Sequence, residues 1–238
     1  MGINAVEGLV RSAPERIVRA WLKPGGRRID ELADALRAAG AAVELADERA
    51  LDRMAGKVRH QSVIAEFRPR QPGDDRRLQE LVESLDEQAL FLVLDGVQNP
   101  GNLGACLRTA AAAAVTAVII PRNRAVGLTP AARRSAAGAA ERVELVIVTN
   151  LARSLRLLAE HGVWRVGLAA GQGKSIFRSR LDGALALVLG GEEGGMRRLT
   201  REHCDELVEI PMPGAIESLN VSVAAGIALF AAVDRRTR

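Results

Sequence analysis

The sequence predicts an α/β protein whose larger part is a doubly wound parallel sheet. From about residue 90 onward, apolar runs alternate with segments of helical spacing, and the runs lie at 91–95, 116–120, 145–148, 164–168 and 185–190. Continuous apolar runs of this length are typical of strands that are covered on both faces, as in parallel sheets. A shorter stretch of alternating helices and strands precedes them, so we expect two units of different size.

The first unit is expected over residues 1–67. Its predicted helices lie at 4–10, 29–39 and 48–54, and its predicted strands at 17–22, 43–45 and 62–67. The helix in the middle is the best supported, because Ile29, Leu32 and Leu36 fall at helical spacing and Gly40 supplies a stop.

The boundary between the units is predicted from composition. The segment RPRQPGDDRR at 68–77 combines two prolines, a glycine and dense charge, which is typical of linkers. We therefore expect a linker over 68–85 and a second unit over 86–238. The helices predicted in the second unit lie at 103–114, 130–140, 151–161 and 219–235.

Composition excludes several classes of protein. Of the 238 residues, 48% are hydrophobic and 26% are charged, which is the mixture of an ordinary globular chain and not of a disordered one. The chain has two cysteines, Cys106 and Cys204, and three histidines, His60, His161 and His203, and they do not lie at metal-ligand spacing. The sequence therefore predicts no metal site and reduced thiols in a cytoplasmic protein.

Partners are only weakly indicated by charge and hydropathy. No apolar stretch reaches the roughly 18 residues of a membrane span, and the first residues lack the order of a signal peptide, so no membrane association is expected. The formal net charge is +4, and only three of the 33 basic residues are lysines. Arginine suits phosphate and RNA, but a GC-rich genome would also raise the arginine content, and composition does not decide between the two.

Three loops that follow predicted strands have unusual sequences. Ligands of open parallel sheets bind beyond the carboxyl ends of the strands, where such loops meet. The loops read DGVQNPGNLGACLRTA, GGEEGGM and IPMPGAIESLNVSVAAG. Each has a purely structural explanation: the Asn and Ser residues could cap helices, the arginine could be solvated, and the glycines could serve a turn. The combination of all three at one edge of the sheet favours a site.

Nucleotide-binding fingerprints fit poorly. In GGEEGG, Glu192 stands where a G-x-G-x-x-G loop needs its second glycine. The segment GLAAGQGKS resembles a Walker A loop, but Gly167 comes one residue too early for that pattern. A phosphate-binding NTPase that uses residues 171–175 remains an alternative with little support.

The three loops resemble the three motifs of the SpoU/TrmH (SPOUT) RNA 2′-O-ribose methyltransferases. The matches are N-x-G-x-x-x-R at 102–108, G-x-E-x-x-G-M at 190–196, and I-P-M…S-L-N-V-S-V-A at 210–224, in the family's order and spacing. Further stretches, at 2–6, 13–16, 60–61 and 196–212, resemble the members of the family that methylate a guanosine of the large-subunit (23S) ribosomal RNA. One departure is Ser62, where many relatives have glycine.

The resemblance implies a trefoil-knotted parallel-sheet (SPOUT) catalytic domain that forms a homodimer, preceded by a small L30e-like α/β domain that binds the RNA substrate. The methyl donor would be S-adenosyl-L-methionine, and the acceptor a ribose 2′-hydroxyl of large-subunit ribosomal RNA or its precursor. The positions carried over for the cofactor are Ala169, Gly190, Gly191, Ile210, Met212 and Leu219. Those carried over for catalysis are Asn102, Arg108, Glu192, Ser218 and Asn220.

Arg108 could act as a base or as a clamp on a phosphate, and the pKa of a guanidinium distinguishes the two roles. A guanidinium keeps its proton to a pKa above about 12, so a clamp on the target phosphate suits Arg108 better than the role of base. The RNA-contact candidates of the first unit are Arg11, Arg16, His60 and Gln61, together with the linker arginines Arg68 and Arg70. A non-catalytic knotted protein that binds RNA or assists ribosome assembly is the second alternative, and the intact motif residues argue against it.

Overall fold

A computed structural model describes residues 2–56, 59–192, 194–215 and 218–237 of the chain. The chain divides into two units, one that ends at Arg70 and one that begins at Gln71. Each unit has its own sheet and its own apolar core. No helix within these ranges is both long enough and apolar enough to cross a membrane.

The first unit is built on a three-stranded sheet. Its elements in chain order are α1 (Ile3–Ser12), β1 (Ile17–Leu22), α2 (Arg27–Ala38), β2 (Ala42–Leu45), α3 (Glu48–Ala55) and β3 (Val63–Phe67). The central strand β1 pairs in parallel with β2 and antiparallel with β3. The apolar face of α2 packs on this sheet, with Leu22, Leu36 and Val63 fully buried. The elements lie within one or two residues of those predicted, because each has a clear apolar period or a cap.

The second unit is a six-stranded parallel sheet. Its elements are α4 (Asp75–Glu83), β4 (Leu90–Asp95), α5 (Pro100–Ala112), β5 (Ala117–Pro121), α6 (Pro130–Ser135), β6 (Leu145–Val148), α7 (Leu151–Glu160), β7 (Trp164–Leu168), β8 (Leu185–Gly190), α8 (Arg198–Glu202), β9 (Glu206–Val208) and α9 (Val221–Thr237). The strand order is β6-β5-β4-β8-β7-β9, and every pairing is parallel.

The sheet of the second unit is covered on both faces, as the continuous apolar runs predict. Leu92 and Leu94 of β4 belong to the core shared with α5, α6 and α9, whereas Phe91 and Val93 belong to the core shared with α4 and α7. Side chains of a strand alternate between faces, so a strand that is buried on both sides needs an apolar residue at every position. The predicted α/β class with a parallel sheet is confirmed.

The linker is shorter than predicted. Gly73 joins the sheet edge, since its N–H donates to the Leu145 carbonyl (2.8 Å) and its carbonyl accepts from the Ile147 N–H (2.8 Å). Helix α4 follows at once, and its Leu78 and Val82 are buried in the core against α7. The expected linker over 68–85 is therefore wrong from Gly73 onward. Two buried apolar residues at i and i+4 anchor this helix. They lie in a densely charged segment, so the sequence shows no clear apolar period there.

Three further elements differ from the prediction. Strand β9 is three residues long and helix α8 five, and neither was predicted, because such short runs carry no period. The helix expected over 130–140 ends at Ser135, and Ala137 and Gly138 follow in left-handed conformations (φ 49° and 89°). Left-handed residues cannot continue a right-handed helix, so the chain turns there.

Candidate active site

The candidate site lies at the carboxyl ends of β4 and β8, which are neighbours in the sheet although about 90 residues separate them in sequence. The loop after β4 leads into α5, and the loop after β8 leads into α8. The Gly191 N–H donates to the Asp95 carbonyl (2.8 Å), and the Gly195 N–H donates to the Gly191 carbonyl (3.0 Å). The first bond holds the loop after β8 against the end of β4, and the second closes a turn within that loop.

Asp95 is a structural residue of the site that sequence analysis did not single out. It closes the otherwise apolar strand β4, and its side chain is only 1% exposed. Its two carboxylate oxygens accept hydrogen bonds from the Arg197 backbone N–H (2.9 Å) and the Arg197 Nε–H (2.6 Å). A buried carboxylate needs such partners. The pair therefore fastens the end of the glycine-rich loop to β4, and the one charged residue in the run LFLVLD is the signal that could have identified it.

Three predicted catalytic residues, one from each motif, form a chain of hydrogen bonds. The Asn220 Nδ2 donates to the Asn102 Oδ1 (3.1 Å), and the Asn102 Nδ2 donates to the Glu192 Oε1. The structure therefore brings Asn102, Glu192 and Asn220 together. The explanation of Asn102 as a mere helix cap is wrong, because Asn99 accepts from the Gly101 and Asn102 N–H groups and is the residue that caps α5.

The donor-to-acceptor direction of this hydrogen-bond chain is fixed by Asn220. Asn220 directly precedes α9, and its Oδ1 accepts from the Ser222 N–H (2.9 Å) and the Ser222 hydroxyl (2.6 Å). A backbone N–H can only donate, so the Asn220 oxygen must face it and the Asn220 amino group must face Asn102. The Asn102 amino group is then aimed at Glu192. The arrangement therefore requires Glu192 to accept, which an ionised carboxylate does with both oxygens.

The remaining two predicted catalytic residues stand outside this chain. Arg108 lies six residues beyond Asn102 on α5, and it is exposed and forms no hydrogen bond or ion pair within the described ranges. Ser218 is likewise exposed and makes no hydrogen bond to another described residue. A free guanidinium at the edge of a site is available to an anion of the substrate.

Glycines allow the close approach of backbone segments around the site. A Cβ on Gly104 would lie 2.6 Å from the Ala132 carbonyl oxygen, so this glycine permits the contact of α5 with α6. A Cβ on Gly191 would lie 2.3 Å from the Gly96 carbonyl oxygen, and one on Gly190 would lie 1.9 Å from the Gly195 carbonyl carbon. Sequence analysis attributed Gly190 and Gly191 to the approach of a cofactor. In the structure, close contacts with the protein's own backbone already require glycine at both positions.

Replacing Gly190 by valine is expected to lower the melting temperature by about 2–12 °C. Overpacking costs about 1–3 kcal/mol, and each kcal/mol corresponds to about 2–4 °C in a chain of this size. Gly194→Ala is the matched control, because a Cβ there meets no atom within 4 Å. Thermal unfolding followed by circular dichroism measures both variants. A Gly190→Val protein as stable as the unaltered chain would contradict the assigned contact.

The residues expected to hold S-adenosylmethionine lie at the carboxyl ends of β7, β8 and β9. The Ala169 N–H donates to the Val208 carbonyl (2.9 Å), and Leu168 pairs with Leu189, so the three strand ends are side by side. Beyond them, the backbones of Ile210, Met212 and Leu219 form no hydrogen bond with another described residue. Small side chains, partly buried apolar groups and available backbone donors and acceptors fit an adenosine-containing ligand.

His60 is not available as an RNA contact, contrary to expectation. Only 6% of it is exposed. Its Nε2 lies 3.0 Å from the Asp52 carboxylate, and its Nδ1 accepts from the Ser62 N–H (3.2 Å). Gln61 and Ser62, which complete this turn, both have positive φ (52° and 65°), which explains why many relatives have glycine at the second position. His60 therefore holds the turn that presents the exposed Gln61.

Arg11 and Arg16, the other two RNA-contact candidates of the first unit, differ in the contacts of their side chains. Arg11 is exposed at the end of α1. The Arg16 Nε–H donates to the Arg68 carbonyl (2.9 Å), so this arginine fastens the chain that follows β3.

The cluster of Glu48, Asp52 and His60 has the spacing of a metal site, but its hydrogen bonds argue against one. Because the Nδ1 of His60 accepts a backbone N–H, a neutral ring carries its proton on Nε2, the atom that faces the two carboxylates. Glu48 is in addition paired with Lys23 (2.8 Å). The cluster is therefore explained by interactions within the protein.

The cysteines and the Walker-like loop take no part in the site. Burial raises the pKa of both thiols to about 12, and for Cys106 the negative charge of Glu192 adds to the effect, so both are protonated at neutral pH. In the loop, Lys174 is paired with Glu206, and the Ser175 hydroxyl accepts from the Phe177 N–H (3.3 Å). The groups that would bind a phosphate are used within the protein, which disfavours the NTPase alternative.

Comparison with known proteins identifies the family of the chain. The sequence model of the SpoU rRNA methylase family matches residues 89–230, and that of the RNA 2′-O ribose methyltransferase substrate-binding domain matches residues 1–73. The chain belongs to the SpoU family of RNA methylases, which are S-adenosylmethionine-dependent 2′-O-methyltransferases. It is 48% identical to proteins named 23S rRNA (guanosine-2′-O-)-methyltransferase RlmB from Xylella fastidiosa (100% of this chain, 96% of the relative) and from Escherichia coli K12 (99% and 98%).

Solved structures share the fold. An AdoMet-bound rRNA methyltransferase from Sinorhizobium meliloti superposes with a TM-score of 0.80 at 22% identity, over 98% of this chain and 85% of that one. The SpoU methyltransferase AviRb from Streptomyces viridochromogenes, in complex with AdoMet, gives 0.79 at 22% identity, over 100% and 88%.

Proposed function

We propose that this protein transfers a methyl group from S-adenosylmethionine to the ribose 2′-hydroxyl of a guanosine in 23S ribosomal RNA or its precursor, in the cytoplasm. The observation that carries the proposal is the directed chain from Asn220 through Asn102 to Glu192 at the edge of the sheet. The relatives that bear this activity in their name are 48% identical over the whole chain, which supports the choice of RNA.

The residues of the site divide the work between them. When bound, S-adenosylmethionine supplies a sulfonium methyl that an oxygen nucleophile can displace. Glu192 uses one carboxylate oxygen for Asn102. Its other oxygen accepts a hydrogen bond from the 2′-hydroxyl, orients that group's lone pair, and takes up its proton as the oxygen–carbon bond forms and the methyl–sulfur bond breaks. Arg108 holds the phosphate of the target nucleotide by a charge-assisted contact. Ser218 lies at the end of the same loop as Asn220 and contacts the ribose.

The cofactor is held largely by backbone groups. We assign this role to Ile210, Met212 and Leu219, with Ala169 and the glycines Gly190 and Gly191 forming the floor at the strand ends. Arg11 and Gln61 of the first unit are exposed and are assigned to contacts with the RNA, together with Arg16.

A protein that begins at Gln71 is expected to bind S-adenosylmethionine normally but to methylate 23S RNA at least tenfold more slowly at low RNA concentration. The second unit has its own sheet and core, so it should fold alone, whereas the contacts of residues 1–70 with RNA are lost. Cutting at Gln71 keeps the Gly73 hydrogen bonds to the edge of the sheet.

The measurement is tritium transfer to 23S RNA together with a map of ribose methylation. Methylation of RNA by the full chain at a guanosine of 23S RNA would support the proposed function, and its absence would contradict it. Equal activity of the shortened and full chains would remove the first unit from substrate recognition.

A homodimer is part of the proposal, and helix α9 offers its interface. Val223 and Phe230 are each 49% exposed, and Ile227 lies between them at helical spacing. The three form an apolar stripe on one face of a helix whose opposite face packs in the core. A continuous apolar stripe favours a protein contact more than isolated exposed residues do.

Replacing Phe230 by aspartate is expected to convert the dimer to a monomer, because a carboxylate would be buried without a partner. Leu199→Asp on α8 is the control, since Leu199 is equally exposed but lies on another element. Sedimentation velocity measures the mass in solution. A dimer in the Phe230→Asp variant would place the interface elsewhere, and a monomeric unaltered chain would refute dimerisation.

A further inference from the structure

We propose that a pocket at the carboxyl ends of β5 and β6 binds an unstacked base of the RNA strand next to the methylated nucleotide. The inference rests on the proposed function, because it assumes an RNA substrate. It adds a second recognition site on the catalytic unit, separate from the hydrogen-bond chain and from the cofactor-binding loops.

The pocket has the size and lining of a site for a small flat group. Its volume is about 300 Å³, and its walls are mainly apolar. They are formed by Pro72, Ile120, Pro121, Ala125 and Ile147, with the polar Arg122 beside them. Ligand pockets commonly combine apolar walls with a few polar groups, and their volumes begin at about 300 Å³.

Backbone hydrogen bonds fix the walls in advance. Gly73, also in the lining, is bonded through both its N–H and its carbonyl to β6. The Arg122 N–H donates to the Val148 carbonyl (2.8 Å), which holds the opposite wall to the same strand. A pocket formed without a partner loses little conformational entropy when it binds one.

The pocket is connected to the reaction site through the loop after β4. The Val126 N–H, in the segment that lines the pocket, donates to the Val97 carbonyl (2.9 Å). The neighbouring Gly96 carbonyl is the atom against which Gly191 packs. Only β4 lies between β5 and β8, so two strand spacings, about 10 Å, separate the two strand ends. That distance suits a nucleotide that flanks the target, not a remote part of the RNA.

Charge at the rim of the pocket favours RNA over a neutral ligand. Arg122, Asn123 and Arg124 are exposed, and none of their side chains has a partner within the described ranges. Arg124 has a left-handed conformation (φ 60°), which is costly for a residue other than glycine and is often found at functional sites. A single strand with splayed bases needs both features, cations for its phosphates and an apolar slot for a base.

The acidic residues near the pocket are already engaged within the protein. The Asp74 Oδ1 accepts from the Arg77 N–H (3.1 Å) as the cap of α4. Asp75 accepts from the Thr149 N–H (3.1 Å) and hydroxyl (2.9 Å). Both carboxylates keep their negative charge, and Asp74 also lines the pocket, but these hydrogen bonds hold them in place. Arg122 and Arg124 supply the positive charge that a phosphate needs at this rim.

The test combines a pocket-filling variant with an RNA scan. Ala125→Phe fills the slot, and Arg122→Ala removes the charge without filling it. Arg142→Ala is the control, an exposed arginine that precedes β6 and so lies at the amino end of the strand, whereas the pocket lies at the carboxyl end. A 23S RNA fragment is prepared with one abasic nucleotide at each position on either side of the target, and kcat and KM for methyl transfer are measured for each protein and RNA.

With the unaltered protein, we expect one flanking abasic position to raise KM about tenfold, because the apolar surface of the missing base is no longer buried in the slot. In Ala125→Phe, the same abasic position should add no further effect, because the slot is already closed. Arg122→Ala should raise KM for every RNA, and Arg142→Ala should match the unaltered protein. If Ala125→Phe and the unaltered protein respond identically to the abasic positions, the pocket does not bind a base, and the proposed function is unaffected. No methyl transfer by the unaltered protein would overturn the proposed function and this inference with it.

Discussion

Replacing Glu192 by glutamine is expected to lower kcat for methyl transfer by at least 100-fold, with the affinity for S-adenosylmethionine unchanged. The chain from Ser222 through Asn220 and Asn102 leaves only an acceptor role at position 192. In the variant, the amide oxygen would satisfy Asn102 and the amide N–H₂ would face the substrate. The 2′-hydroxyl would then accept a hydrogen bond at this point, which engages one of its two lone pairs and turns its O–H away from position 192. Losing one preorganised polar contact commonly costs 100-fold to 1,000-fold in rate.

Single-turnover transfer to 23S RNA and calorimetry with the cofactor separate the two effects. Glu202→Gln is the matched control, an exposed glutamate paired with Arg198 on α8 and absent from the hydrogen-bond chain. Asn102→Ala and Asn220→Ala should each reduce the rate, and the double variant should lose less than the product of the two, because the residues act as one network. An unchanged kcat in Glu192→Gln would exclude this residue from the reaction.

Replacing Arg108 by alanine is expected to reduce methyl transfer by about 30-fold to 150-fold without altering cofactor affinity. This range corresponds to the loss of one hydrogen bond to a charged group, about 2–3 kcal/mol. The exposed guanidinium has no partner within the described ranges, so its contribution arises only when RNA binds. Arg108→Lys should retain part of the activity, because a lysine keeps the charge but not the bidentate geometry.

The pH dependence of Arg108→Lys distinguishes a clamp from a base. Lysine has a reference pKa of about 10.4 against about 12.5–13.8 for arginine, so a lysine base would deprotonate more readily. Its pH–rate profile would then move to lower pH. As a clamp, lysine stays charged throughout the neutral range, and its profile should run parallel to that of the unaltered protein. A profile displaced to lower pH would refute the clamp, and full activity of Arg108→Ala would refute both roles.

The candidate site was partly predictable because its members stand in short patterns. Asn102, Glu192 and Asn220 each belong to one of the three sequence motifs, and the predicted methylase family and α/β fold are confirmed. His60 shows the limit of such patterns. Its neighbours suggest a surface turn, whereas its own ring is buried with its Nε2 3.0 Å from Asp52 of the preceding helix α3.

Elements held by few residues were the ones missed. Helix α4 is anchored by Leu78 and Val82 within a charged segment, and β9 has only three residues. Neither has enough apolar positions to produce a recognisable period. Both are stabilised by contacts with α7 and β7, which become neighbours only after folding.

By itself, the sequence determined the two α/β units, the covered parallel sheet and the residue types of the site, because period, caps and motif spacing are local properties. Only the tertiary structure decided that β8 lies beside β4, that Asp95 holds Arg197, and that the side chains at 102, 192 and 220 form a directed chain. The physical reason is sequence separation. The hydrogen-bonded partners are 90 to 118 residues apart, and their bonds exist only once the order of the strands brings the loops together at the carboxyl ends of β4 and β8.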